Sequence, residues 1–274
     1  MPKASLIISV YRKIHELELI LSALRIQSNK NFEVLIADDG SGDNMNKYIK
    51  AFQKTSNLAI KHVYQDDIGF RKNKILNSAI LQSKTDYIIF IDGDCIPHSS
   101  FVNEHITNKK PNTVLCGRRV NLSKRLSEKI NKEIILTKEY EKIKFSHFLD
   151  SWRDKKIRST FIEEGLVFKN KSLRKFLSKG APHIVGCNFS LNKKMMVKIN
   201  GFDENYIGAG IGEDSDIEFR LRLAGVDFKS IRNLAVLFHL YHNSTAEVKQ
   251  NYDYFTSVQK RNAFACKNGL VRLP

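Results

Sequence analysis

The chain has 274 residues, 42% of them hydrophobic and 27% charged, which is the balance of a soluble globular protein with a substantial core. No apolar run approaches the ~18–20 residues of a membrane span, and the apolar stretch at Ser5 to Val10 is too short for a signal-peptide core. Four scattered cysteines without a Cys-x-x-Cys pair argue against a disulfide framework or a zinc site, and a cytoplasmic location is expected.

The first third alternates strand and helix patterns. Strands are expected at Leu6 to Val10, Phe32 to Ala37, Leu58 to Tyr64 and Tyr87 to Ile91. Helices are expected at Glu16 to Ile26, Asp43 to Phe52 and Arg71 to Leu81. The spacing is that of βαβ units, so the fold class is α/β, with a mostly parallel central sheet covered by helices on both faces. Ligands on such sheets gather at the carboxyl ends of the strands, where Ser9, Asp38, Asp39, Asp67, Asp92 and Asp94 fall.

Asp92-Gly93-Asp94 closes the fourth apolar run. If the strand stays extended through it, residues i and i+2 face the same way and two carboxylates emerge together. Such anions need a cation, and a divalent metal holding a diphosphate is one occupant; a solvated Asp-Gly turn is the simpler alternative. Asp39 at the second strand end can accept hydrogen bonds from a base or ribose, or simply belong to a βα loop. Arg71, Lys72 and Lys74 open a helix, where phosphate is welcome, although basic residues on helices are commonly just solvated.

The formal charge is +16, and the surplus is concentrated between Arg118 and Lys198. Helical spacing replaces the strand rhythm there, which reads as a basic helical insertion over 121–180, facing either solvent or something anionic. Strand patterns return at Ile184 to Leu191 and Ala235 to Leu240, and Ala246 to Ala265 fits a C-terminal helix. Between them a glycine-rich loop delivers Gly212-Glu213-Asp214 to the start of a helix. Glycines allow the unusual backbone path a substrate lid requires, and a carboxylate there can take a proton from a sugar hydroxyl. Acidic residues complementing a helix dipole are the structural alternative. His239 and His242 offer imidazole donors, which beside carboxylates suit Mn²⁺ better than Mg²⁺, though lone histidines are more often structural.

Taken in order, Leu6-Ile7-Ile8-Ser9-Val10-Tyr11, Ala37-Asp38-Asp39-Gly40-Ser41 and Ile91-Asp92-Gly93-Asp94 resemble family 2 glycosyltransferases of the GT-A fold. The run from Gly186 through Asn200-Gly201-Phe202-Asp203 to Gly212-Glu213-Asp214 is similar to the acceptor half of β-1,4-galactosyltransferases and chondroitin-polymerase-type enzymes. The resemblance implies one GT-A domain with a nucleotide-sugar half (1–120), the basic insertion (121–180), an acceptor half (181–245) and a C-terminal helix (246–274). It implies Ser9, Tyr11, Asp39, Arg71, Lys72, Lys74 and Asp92 on the nucleotide. Asp94 and His242 become metal ligands, with Asp92 and His239 beside them. Asp214 becomes the general base, and Glu213 and Gly212 hold the acceptor.

The expected reaction is inverting, metal-dependent transfer from a nucleotide sugar, with UDP as the expected carrier, to a saccharide hydroxyl in bacterial surface-polysaccharide synthesis. The acceptor would be linked to a lipid diphosphate, and the basic insertion would touch the anionic inner face of the cell membrane. This chain has Ala209, Gly210 and Ile211 where the galactosyltransferase loop carries Trp, which leaves donor and acceptor identity open. The rival classes are a nucleotidyltransferase acting on a sugar phosphate and a basic nucleic-acid-binding protein. The basic stretch matches no nucleic-acid recognition motif, so no nucleic-acid partner is expected.

Overall fold

The computed structural model describes residues 2–143, 147, 159–170, 172, 174, 180–243 and 248–273. Strands β1 (Ala4–Val10), β2 (Phe32–Asp38), β3 (Ala59–Tyr64) and β4 (Tyr87–Asp92) alternate with helices α1 (Ile14–Arg25), α2 (Asp43–Thr55) and α3 (Lys72–Gln82). With β6 (Thr113–Cys116), β8 (Phe189–Asn192) and β9 (Asp227–Ser230) they form a seven-stranded sheet ordered β3-β2-β1-β4-β8-β6-β9. Only β8 runs antiparallel to its neighbours, so the expected mostly parallel sheet is what forms.

The side chains of this sheet sort by the strand period of two. Leu6, Ile8, Val34, Ile36, Ile89 and Ile91 face one core, shared with Leu17, Ile20 and Leu24 of α1. Ile7, Leu35, Ile88 and Phe90 face the other, shared with Ile75, Leu76 and Ile80 of α3. Burial on both faces is why these strands read as continuous apolar runs.

Register places the ligand edge. Ser9 of β1 lies opposite Ala37 of β2 and Asp92 of β4, so the three strands end level. The extension imagined through Asp92-Gly93-Asp94 stops at Gly93, where the chain turns. A Cβ on Gly93 would lie 2.6 Å from the Ser9 carbonyl oxygen, so only glycine lets the turn sit against β1. The two carboxylates therefore reach one cavity through a turn, not through an extended strand.

A second sheet, unforeseen in the sequence pattern, is ordered β5-β10-β7 from β5 (Cys95–Pro97), β10 (Val236–His239) and β7 (Arg118–Asn121). It pairs His239 with Cys95, and the Leu240 amide donates to the Asp94 carbonyl at 2.9 Å. A residue 145 positions away is thus carried to the aspartate turn. The late strands are shorter than the patterns suggest, and the C-terminal helix spans Lys249–Arg261. Of the basic insertion, short helices at Lys124–Lys129 and Lys132–Leu136 are seen, and half of the expected second stretch (Trp152 to Lys179) lies outside the described residues. No helix among the described residues is long and apolar enough to cross a membrane.

A buried polar network ties the sheets together. The Asn188 amide donates to the carbonyls of Arg118 and Ala235, which leaves its oxygen to accept from His105 Nε2 at 3.2 Å. His105 Nδ1 is then an acceptor, 2.7 Å from the Ser190 hydroxyl. Burial pushes the His105 pKa down to about 3, with Asn188 opposing. An unfolded histidine titrates near ~6.5, so below that pH the unfolded chain binds a proton the native state refuses. Stability from His105 is complete above ~6.5 and declines as pH falls toward the folded value. Between pH 6.5 and 5 this amounts to about 2 kcal/mol, read as a steeper loss of urea-unfolding free energy in wild type than in His105→Gln. Parallel pH profiles would contradict it.

Candidate active site

A cavity of 380 Å³ opens at the carboxyl ends of β1, β2 and β4, and Ser9, Tyr11, Asp39, Lys72, Asp92, Asp94 and His242 all line it. Asp39 and Asp38, adjacent in sequence, separate by strand geometry. Asp38 turns into the protein, where His62 at 2.9 Å and the Ser41 amide at 2.9 Å hold it. Asp39 turns to the cavity and accepts from Gln65 Nε2 and from the Arg71 amide, at 2.5 and 2.9 Å. Burial raises the Asp39 pKa, against those two donors. Tyr11 donates to Asp67 at 3.2 Å on the rim, beside an Arg12–Asp67 ion pair.

Of the three basic residues that open α3, only Lys72 enters the cavity. Arg71 contributes its amide to Asp39, while its guanidinium turns back to the Asp66 carbonyl. Lys74 is exposed and does not line the cavity, because two helical steps of about 100° each carry it to the far side of the helix from Lys72.

Lys72 joins the two halves of the site. Its Nζ lies 2.7 Å from Asp92 Oδ1 and 2.7 Å from Glu213 Oε2. Ser9 donates to the same Asp92 oxygen at 2.9 Å. Burial alone would raise the Asp92 pKa, but Lys72 and Ser9 bring it down to about 2. Glu213 goes the other way. Burial, with Asp92 and Asp214 nearby, lifts it to about 7 in spite of Lys72.

The glycine loop aims this pair. Gly212 has φ +131°, and a Cβ there would lie 2.1 Å from the Tyr206 ring, whose hydroxyl donates to Asp216. The loop must therefore pass tightly over Tyr206 before the helix Asp214–Leu223 begins. That helix is anchored by a buried Arg220–Asp216 ion pair, with Arg220 also donating to the carbonyls of Ile199 and Gly201. Glu213 then points to Lys72. Asp214 accepts from the Gly186 and Ser215 amides at 3.2 and 2.8 Å and lines a separate open cleft of 550 Å³ with His183, Glu218 and Arg222. The two adjacent carboxylates thus face different spaces.

Asp94, His239 and His242 bring three ligand atoms within 4.8 Å of one another, a grouping able to hold a cation. Asp94 lies 3.5 Å from each imidazole, and the two Nε2 atoms are 3.2 Å apart. His242 Nδ1 donates to the Asn243 carbonyl at 2.8 Å, which leaves its Nε2 lone pair toward the trio. Burial, together with Arg119 and His242 and against Asp94, pushes His239 down to about 4. It is a neutral imidazole at physiological pH, as ligation requires. Asp92 stands outside the trio, engaged by Lys72 and Ser9. Two contacts escaped the sequence reading. Gln65 backs Asp39, and Lys13 sits 2.7 Å from Asp94 Oδ2. A lysine just past the first strand end was the available signal for the second.

The mostly parallel sheet with helices on both faces and a cavity at its strand ends is a GT-A glycosyltransferase fold. The model for "Glycosyltransferase like family 2" matches residues 5–272, and the chain belongs to that family. It is 29% identical over 250 residues to chondroitin synthase of Escherichia coli, covering 86% of this chain and 34% of that protein. It is 27% identical over 276 residues to an uncharacterized glycosyltransferase of Bacillus subtilis, covering 89% of this chain and 66% of that protein. The chain thus spans about a third of the first relative's length. Among solved structures, S. aureus TarS 1-349 in complex with UDP-GlcNAc superposes with a TM-score of 0.61 at 15% identity, covering 95% of this chain and 67% of that one. The mannosyltransferase PcManGT of Pyrobaculum calidifontis, in complex with GDP-Man and Mn²⁺, gives 0.57 at 14% identity, covering 95% and 61%.

Replacing Lys72 by Met leaves Asp92 and Glu213 facing each other without their cation. Because each partner keeps about a fifth of its exposure, the expected loss is about 2 kcal/mol, below the range for a fully buried pair. Urea denaturation at neutral pH measures it, and an unchanged midpoint would contradict the bridge.

Proposed function

We propose that this chain is an inverting, metal-dependent glycosyltransferase that moves a sugar from a nucleotide diphosphate, UDP being the favoured carrier, to a saccharide hydroxyl. The observation that carries this reading is the Lys72 contact, 2.7 Å to Asp92 and 2.7 Å to Glu213 of the glycine loop. It joins the donor cavity to the elements expected to bind the acceptor. The UDP-GlcNAc held by TarS and the saccharide chemistry in the name of the E. coli relative support donor and acceptor classes, not individual sugars. We read 1–120 as the donor half and 181–245 as the acceptor half of one domain.

In this proposal Asp39 accepts a hydrogen bond from the base, with Ser9 and Tyr11 on either side of the nucleoside. Lys72 leaves its carboxylate partners for the diphosphate. Asp94, His239 and His242 hold a divalent ion, Mn²⁺ rather than Mg²⁺ for a set with two imidazoles, and that ion supplies positive charge for the leaving diphosphate. Asp214 takes the proton of the acceptor hydroxyl as its oxygen attacks the anomeric carbon, and Glu213 holds that acceptor. One in-line displacement inverts the anomeric configuration.

Two variants test the roles. Positioned base catalysis contributes ~10²–10⁴-fold, so Asp214→Asn should lower kcat by that factor in a UDP-release assay while UDP binding survives. Glu213→Gln should act mainly on the acceptor KM. A reversed pattern, with Asp214→Asn near wild type and Glu213→Gln inactive, would transfer the base role to Glu213, whose pKa near 7 suits it.

Asp94→Ala should abolish Mn²⁺-dependent UDP binding in calorimetry. Unchanged titrations with and without Mn²⁺ would defeat the metal assignment.

A further inference from the structure

Lys13 follows the carboxyl end of β1 and occupies the residue before α1, with no capping bond from its side chain. Its Nζ lies 2.7 Å from Asp94 Oδ2, the same oxygen that stands 3.5 Å from His242 Nε2. The Asp94 side chain is only 12% exposed and Lys13 is 35% exposed. The other two members of the trio are imidazoles, and the Lys13 ammonium is the lysine in direct contact with this carboxylate.

An ammonium and a divalent ion at that oxygen would place two like charges side by side. The two cations would repel each other across it, so each weakens the hold of the other. Lys13 also lines the donor cavity, and its four-carbon stem can swing within it.

We infer that Lys13 is a displaceable internal cation, which holds Asp94 while the metal is absent and moves onto the donor diphosphate when the metal takes its place. This rests on the metal reading proposed above. It gives Lys13 two effects of opposite sign. The lysine weakens binding of the metal alone and strengthens binding of the nucleotide once the metal is present. A side chain that merely shaped the loop would shift both in the same direction.

Calorimetric titration of wild type, Lys13→Met and Lys13→Gln with Mn²⁺ alone, then with UDP in saturating Mn²⁺, reads both effects. Arg12→Met is the charge control in the first titration, because Arg12 pairs with Asp67 on the same loop and does not touch Asp94. Loss of a partly exposed ion pair should tighten Mn²⁺ about five- to tenfold in both Lys13 variants, and UDP in Mn²⁺ should weaken by about the same factor. Arg12→Met should leave Mn²⁺ affinity within about twofold, as expected for a screened rim charge. Unchanged or weaker Mn²⁺ binding in the Lys13 variants overturns the inference, as does equal tightening in Arg12→Met. If Asp94→Ala loses Mn²⁺ while the Lys13 variants match wild type, the metal reading stands and the Lys13 inference alone fails. If no variant and no wild-type protein binds Mn²⁺, both fall together.

Discussion

The ammonium group of Lys72 sits where a chain of carboxylates would otherwise repel itself apart. Asp92 closes the fourth strand, Glu213 caps the helix Asp214–Leu223, and the two approach the same nitrogen at 2.7 Å. Partly withdrawn from water, neither anion would tolerate the other without a cation between them. The Lys72 pKa is raised because these carboxylates outweigh the effect of its burial. Donor edge and acidic loop come from sequence positions more than 100 residues apart, and this contact is what makes them one crevice. Their acidities diverge: the lysine and Ser9 hold Asp92 ionised, while burial, with Asp92 and Asp214 nearby, lifts Glu213 toward neutrality in spite of Lys72.

Around that bridge the protein carries its own substitutes for the charges of a substrate complex. Lys72 and Lys13 pair with these carboxylates, and the proposed transfer begins by exchanging those partners. Such exchange costs less than burying fresh charge, because each anion keeps a cation throughout. The small sheet β5-β10-β7 has a comparable role in placement. It delivers His239 beside the Asp94 turn, and the Asn188–His105 network locks the carbonyls at the entrances to β7 and β10.

Much of this was legible in the residues. Buried parallel strands announce themselves as apolar runs, so β1, β2 and β4 and the level ends that carry Ser9, Asp39 and Asp92 followed from pattern. Asp94 and the two histidines were joined only through the family resemblance, since in the residues themselves nothing foretells that β10 pairs with β5 across a long separation. Helical phase decided among Arg71, Lys72 and Lys74, and a one-residue shift in where α3 starts was enough to blur it. The opposite aims of Glu213 and Asp214 depend on Gly212 passing over Tyr206, a tertiary contact without local signature. Lys13 was passed over because a single lysine after a strand looks like any solvated residue. Its partner is 81 positions away.

The central claim is that the aspartate edge and Glu213, joined through Lys72, form one crevice for a sugar nucleotide and its ion. A crystal structure of the protein grown with UDP and Mn²⁺ tests it most directly, since manganese can be located by its anomalous scattering. The account predicts a manganese peak ligated by Asp94 and the two histidines, with the diphosphate between it and Lys72 and the base against Asp39. Nucleotide bound away from this cavity, or manganese held by other side chains, would contradict it.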